Sequence, residues 1–299
     1  MKKTLVNLII LTTFILILFI TILSTFGIET NKFNRFITEK VSKTKNINLE
    51  LERIKFKINI KELSLFLETQ NPKITYRNVL VPAQNIKVYI DFLSLIKSAP
   101  SINKINLSLA ELNIEQVKDL TSTIKPSNLR NIINTKIKSG KVILNIEFFL
   151  IKNKLENFIT KGSIKNLNTE LIKNLVLEKT NFNFFADKSD ILLKNINGEV
   201  VGLKISDGDL KLNLSNEISL KSNLPTIIKI DSNKLKKFYN FIGTDNYLKN
   251  IDNFEANLSN NLNMKFDKTY KLLDYNFESK GTINRAVLKL NKPIKSDFL

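Results

Sequence analysis

Residues 86–92 read Ile86-Lys87-Val88-Tyr89-Ile90-Asp91-Phe92. Apolar and polar side chains alternate with a period of two, which a strand converts into one apolar and one polar face. The same period appears on both sides of this stretch. Ile54, Phe56, Ile58 and Ile60 alternate with Lys55, Lys57 and Asn59, and Ile105, Leu107 and Leu109 with Asn106 and Ser108. Val142, Leu144, Ile146 and Phe148 continue it, then Phe182 and Phe184. Pro72, Pro82 and Pro100 fall between these runs, where turns or strand ends tolerate them.

Further along, Asn197-Gly198 and Asp207-Gly208 predict tight type I′ hairpin turns. Leu203 and Ile205 then enter the second turn, and Leu210, Leu212 and Leu214 leave it on one face. The expected product is a meander of consecutive antiparallel strands. Strand patterning returns at Phe254. A short motif, Asn157-Phe158-x-x-Lys161-Gly162-x-Ile164, recurs as Asn276-Phe277-x-x-Lys280-Gly281-x-Ile283, which points to a repeat-built sheet.

Three segments depart from this period. Phe33, Phe36, Ile37 and Val41 share one face of a helix over 31–42, with Asn31 as its cap. Residues 115–138 read as two helical pieces separated by Pro126. Val117, Leu120 and Ile124 lie in the first, and the second has Ser127 as cap and Gly140 as stop. Residues 232–243 read as a helix capped by Ser232, with Leu235, Phe238, Tyr239 and Ile242 on one face.

The amino terminus carries a different signal. Leu5 to Ile28 is uncharged and, as a helix, reaches roughly 36 Å, enough to cross a hydrocarbon core of about 30 Å. Its apolar core is longer than that of a cleaved signal peptide, and Ser24-Thr25-Phe26-Gly27 makes a poor cleavage site. The run therefore reads as a retained single-pass anchor. Lys2 and Lys3 keep the amino terminus cytoplasmic and place the bulk across an inner membrane. The expected division is an anchor over 1–28, a juxtamembrane helix over 29–45 and a periplasmic β domain over 46–299. The last residues, ending in Asp297-Phe298-Leu299, interrupt a strand pattern, as a piece of a longer protein would.

Composition removes several kinds of chemistry. With no Cys and no His among 299 residues, disulfides, thiolate nucleophiles, Ser-His-Asp triads and His- or Cys-ligated metals are excluded. No tight carboxylate cluster stands out. Asp207 and Asp209 flank a Gly and read as turn residues, so no catalytic residue, metal or cofactor is expected. The net charge of +18 comes from lysines spread along the chain, which argues against nucleic-acid binding and for a solvated face or attraction to anionic head groups.

The segment Ala83-x-x-Ile86-Lys87-Val88-Tyr89-Ile90-Asp91-Phe92-Leu93-Ser94-Leu95-Ile96, then Ile102-x-x-Ile105-x-Leu107 and Leu112-x-Ile114, resembles the amino-terminal region of the AsmA-like family, the AsmA, TamB and YhdP type of bridge-like lipid-transfer protein. Ala110-Glu111 stands where that family usually has a Pro. The resemblance implies a mainly β fold: an elongated, curved, largely antiparallel sheet whose open apolar groove carries phospholipids between the inner and outer membranes of diderm bacteria. The implied lining is Ile54, Phe56, Ile58, Ile86, Val88, Ile90, Phe92, Ile105, Leu107, Leu109, Val142, Leu144, Ile146, Phe148, Leu203, Ile205, Leu210, Leu212 and Leu214. About 14 strands at roughly 4.8 Å give about 67 Å, short of bridging a periplasm without an outer-membrane or periplasmic partner protein. The competing fold is a closed β-sandwich, and the competing function a non-enzymatic scaffold for assembly of outer-membrane proteins.

Overall fold

The computed structural model describes residues 2–31, 34–42, 46–60, 64–90, 101–123, 125–151, 154–172, 175–215, 217–236, 251–269 and 271–289. The protein is mainly β, with an apolar amino-terminal helix and one 14-stranded antiparallel sheet. The hydrogen-bonded path runs from strand to strand without returning to its start, so the sheet is not closed into a barrel.

Helix α1 spans Lys2–Thr25, and its segment Thr4–Thr25 is long and apolar enough to cross a membrane. Its 22 residues rise about 33 Å. Most of it is exposed, Leu5 at 61% and Phe14 at 64%, while Leu23 near its end is buried at 6%. Its hydroxyls bond back to the helix, Thr12 donating to the Leu8 carbonyl, Thr13 to Ile9 and Thr21 to Ile17, each at 2.8 Å. That arrangement leaves no free donor at these positions, as a lipid environment requires.

The helix ends earlier than the apolar run does. The Phe26 and Gly27 N–H groups both donate to the Ile22 carbonyl at 3.0 Å. Gly27 sits at φ 74, a conformation that only glycine adopts at little cost. Strand β1, Ile28–Thr30, follows at once and pairs with β3, Ile54–Asn59, with Ile28 facing Phe56. Glu29 on β1 bridges Lys55 at 3.1 Å. The sheet therefore begins at residue 28, not at 46. A Cβ on Gly27 would lie 2.7 Å from the Phe56 carbonyl oxygen. Gly27→Val is expected to cost about 2 kcal/mol or more from φ strain and this clash, read as earlier proteolysis near residue 27 and a lowered Tm.

The chain divides into two compact units. Unit 1 comprises Met1–Leu112, Asp119–Lys125 and Ile143–Thr160. After β1 come helix α2 (Asn34–Ser42), β2 (Ile47–Glu50), β3, β4 (Ser64–Gln70), β5 (Lys73–Tyr76), β6 (Val79–Val81), β7 (Ala83–Ile90) and β8 (Ile102–Leu109). β2, β5 and β6 form a separate small sheet. Arg77 and Asn78, at φ 50 and 66, make the tight turn between β5 and β6. Pro72 and Pro82 sit between strands as expected, while Pro100 lies outside the described residues. α2 starts at Asn34, so Asn31 is not its cap but accepts from the Asn34 N–H through its carbonyl. Phe33 lies outside the described residues.

Unit 2 comprises Asn113–Lys118, Pro126–Val142 and Lys161–Leu299. Strand β9 (Leu112–Asn113) leads into α3 (Ile114–Ser122), which begins in this unit. α4 (Asn128–Lys136) has Ser127 as its cap, the hydroxyl accepting from the Arg130 N–H. Gly140 does not stop α4, because β10 (Ile137–Ile151) has already begun. The long strands β11 (Lys154–Ile172), β12 (Leu175–Ala186), β13 (Asp190–Val200), β14 (Leu203–Asn213), β15 (Ile218–Asp231), β16 (Ile251–Phe266) and β17 (Leu272–Leu288) follow. Residues 232–236 are helical, and their cap is Asp231, whose carboxylate accepts from the Lys234 N–H at 2.8 Å, rather than Ser232. Phe238, Tyr239 and Ile242 lie outside the described residues.

The two predicted hairpin turns are not turns. Asn197-Gly198 lies inside β13 and Asp207-Gly208 inside β14. Val201-Gly202, at φ 44 and 85, makes the hairpin between them. Asn195 and Asp207, both at φ 55, are β-bulges, and the registers of β13–β14 and β14–β15 shift there. Side chains stitch the bulges together: Asn195 donates to the Asp207 carboxylate at 2.8 Å, and the Asp207 N–H to the Asn197 side-chain oxygen at 3.1 Å. The glycines serve close packing, since a Cβ on Gly198 would meet the Thr180 hydroxyl and one on Gly208 the Leu224 side chain. The recurring Asn-Phe-x-x-Lys-Gly-x-Ile copies lie within strands β11 and β17.

Candidate functional site

Facing residues of an antiparallel pair project to the same side of the sheet, so the registers define its faces. In unit 1 one row reads Ile28, Phe56, Leu67, Val88, Ile105 and Phe148 across six strands. The next row reads Thr30, Ile54, Thr69, Ile86, Leu107 and Ile146. Ile58, Leu65 and Ile90 form a shorter third row. The residues singled out from strand alternation thus meet on one face. Leu65, Leu67 and Ile28 join them, unread in the sequence. β4 escaped notice because Leu65-Phe66-Leu67 is apolar throughout, and Ile28 because it closes the membrane run.

Phe56, Ile58, Ile86, Val88, Ile90, Ile105, Leu107, Ile146 and Phe148 are half-buried, not fully enclosed. Val142 and Leu144 alternate with Ile146 along β10 and are half-exposed too. Ile54 and Leu109 are corrections: at 2% and 7% exposure they belong to the core, with Leu112 at 1%, and leave no surface for a ligand. Phe92 lies outside the described residues.

The opposite face of unit 1 is largely polar, with Phe66, Glu68 and Tyr89 buried on it. Glu29, Lys55, Glu68, Lys87, Asn106 and Glu147 face one another in order, so opposite charges oppose across the first four strands. Glu68 is only 6% exposed. Its carboxylate meets the Lys57 ammonium at 2.7 Å and that of Lys87 at 3.5 Å, and accepts from the Asn85 amide at 2.8 Å. Burial alone would raise its pKa, but the bonds from Lys57 and Asn85 and the charges of Lys87 and Lys57 outweigh it and hold the carboxyl below the ordinary value. Beside it Phe66 stacks on Tyr89 with ring centroids 5.2 Å apart, and the Lys104 ammonium lies 4.3 Å from the Tyr89 ring centre. A charged cavity of about 310 Å³, lined by Glu29, Arg53, Lys55 and Glu68 among others, opens on this polar side.

Unit 2 repeats the pattern. Phe184, Leu193, Leu210, Ser222, Leu262 and Phe277 form one row; Ala186, Ile191, Leu212, Leu220, Met264 and Tyr275 a second; Val200, Leu203, Ile228, Ala256 and Ile283 a third. The bulges make this possible. Along β14, Leu203 and Ile205 are odd-numbered and Leu210 and Leu212 even-numbered, and the extra residue at Asp207 returns both pairs to one face. All four are half-exposed, and Leu214 stands one residue beyond the strand. Asp207 and Asp209 have structural partners, Asn195 for the first and Lys194, at 2.8 Å, for the second.

Comparison of the chain with protein-family models, with curated proteins and with solved structures finds no match.

Proposed function

We propose that this chain is an AsmA-like, membrane-anchored carrier of phospholipid, with the apolar sheet face as the surface on which acyl chains lie. The observation that carries the reading is the row from Ile28 to Phe148. It is apolar in every strand, remains half-exposed at Phe56, Val88, Ile105 and Phe148, and begins three residues after the membrane-length helix ends at Thr25.

The physics follows from burial. Each acyl methylene exposed to water costs about 0.8 kcal/mol, so a lipid leaves a bilayer readily only onto another apolar surface. A sheet face supplies that surface with its backbone hydrogen bonds already satisfied, while the head group stays in water. With the amino terminus cytoplasmic, α1 anchors β1 at the outer leaflet of an inner membrane, where a lipid would enter. α2, beside that entry, is the candidate gate. No bond is made or broken, so the absence of His and Cys is no obstacle.

The reading is tested with the full chain reconstituted in donor vesicles that carry a fluorescent phospholipid, mixed with acceptor vesicles. Transfer faster than from protein-free donors is expected. A rate equal to theirs would overturn the proposal.

A further inference from the structure

β17 ends the sheet path. Over its 17 residues it pairs with β16 on one side, and among the described residues no strand lies on the other. Its side chains are exposed from Leu272 through Ala286, including Tyr275 at 67% and Ile283 at 65%. A long edge with open N–H and C=O groups and exposed apolar side chains is a template for a further strand, and proteins normally blunt such an edge or cover it.

We infer that the strand covering it is β17 of a second copy of this chain, paired antiparallel about a two-fold axis through Ser279. The sequence is self-complementary in that register. Glu278 faces Lys280 of the other copy, twice by symmetry. Tyr275 faces Ile283, Phe277 faces Gly281 and Asn276 faces Thr282, so apolar meets apolar and opposite charges meet. Moving the axis by one residue destroys the match, because Glu278 then faces Glu278, or Lys280 faces Lys280. Both side chains are free to serve this role on the surface, Lys280 being 74% and Glu278 49% exposed. Within one chain, among the described residues, they pair with each other at 2.6 Å on the same polar face. The apolar rows of the two copies then continue on the same side of the joined edge. The inference does not rest on the lipid reading.

The chain has no Cys, which makes the test clean. In the full chain in detergent, Ser279→Cys places two thiols on the two-fold axis at a Cα separation of about 4.5–5.5 Å, within disulfide reach. Thr282→Cys leaves its thiols about 20 Å apart along the strands. Mild oxidation is expected to link Ser279→Cys into a dimer and leave Thr282→Cys monomeric. Glu278→Lys and Lys280→Glu should each weaken association about tenfold or more, and the double swap should restore it. Failure of Ser279→Cys to link, equal linking of both cysteines, or a double swap no better than the single changes would each overturn the inference.

Discussion

Val88→Asp is expected to reduce vesicle-to-vesicle phospholipid transfer at least tenfold while the domain stays folded. Val88 lies mid-row between Leu67 and Ile105 and is half-exposed. A carboxylate there remains hydrated in the unloaded protein, so the fold loses only a little packing, about 1 kcal/mol. Once an acyl chain covers it, the charge must be desolvated at a cost of several kcal/mol, and the loaded state is lost. Leu107→Asp, one row over, should behave alike. If the apolar face were a closed core, either change would cost 4 kcal/mol or more and the chain would fail to fold. A Tm within a few degrees of the parent, together with lost transfer, distinguishes the two.

Glu68→Gln carries the largest expected loss of stability, on the order of 3 kcal/mol. The buried carboxylate answers Lys57 and Lys87, and neutralising it leaves both ammonium groups against a neutral amide on a packed face. The pH dependence follows from the lowered pKa. The contribution is in full force above the unfolded-state value and is lost as pH falls through the lower folded value. Denaturant titrations should therefore show the parent losing its advantage over Glu68→Gln as pH drops below about 4. A constant difference between the two down to pH 2 would contradict this account of the cluster.

Much of the fold was readable because a single half-packed sheet writes its faces into a period of two. Ile54 to Ile58, Ile86 to Ile90 and Ile105 to Leu109 each announced a strand, and Ser127 announced its helix. What escaped depends on neighbours. Asp207 does take positive φ, which a bulge needs as much as a turn does, whereas Asn197-Gly198 takes none and the bulge beside it falls at Asn195. Asn195 and Asp207 became bulges because strands lie on both sides of them, which no local window reveals. The true hairpin at Val201-Gly202 was hidden because a β-branched residue rarely takes φ 44. β4 was hidden by Phe66, which points to the polar face and stacks on Tyr89. An apolar run likewise cannot state where a helix stops when the first strand, at Ile28, is apolar too. The candidate face was legible as a residue set, but the burial of Ile54 and Leu109 depends on packing from distant segments.

The central claim, that one face of this sheet carries acyl chains, is tested most directly by photo-crosslinking in cells. A photoreactive amino acid is placed in turn at Phe56, Val88, Leu107 and Leu210, and at their strand neighbours Lys55, Lys87, Asn106 and Lys211. Phospholipid adducts, read by mass spectrometry of the purified full chain, should form at the first four positions and not at the second four. Adducts on both faces alike, or on neither, would contradict it.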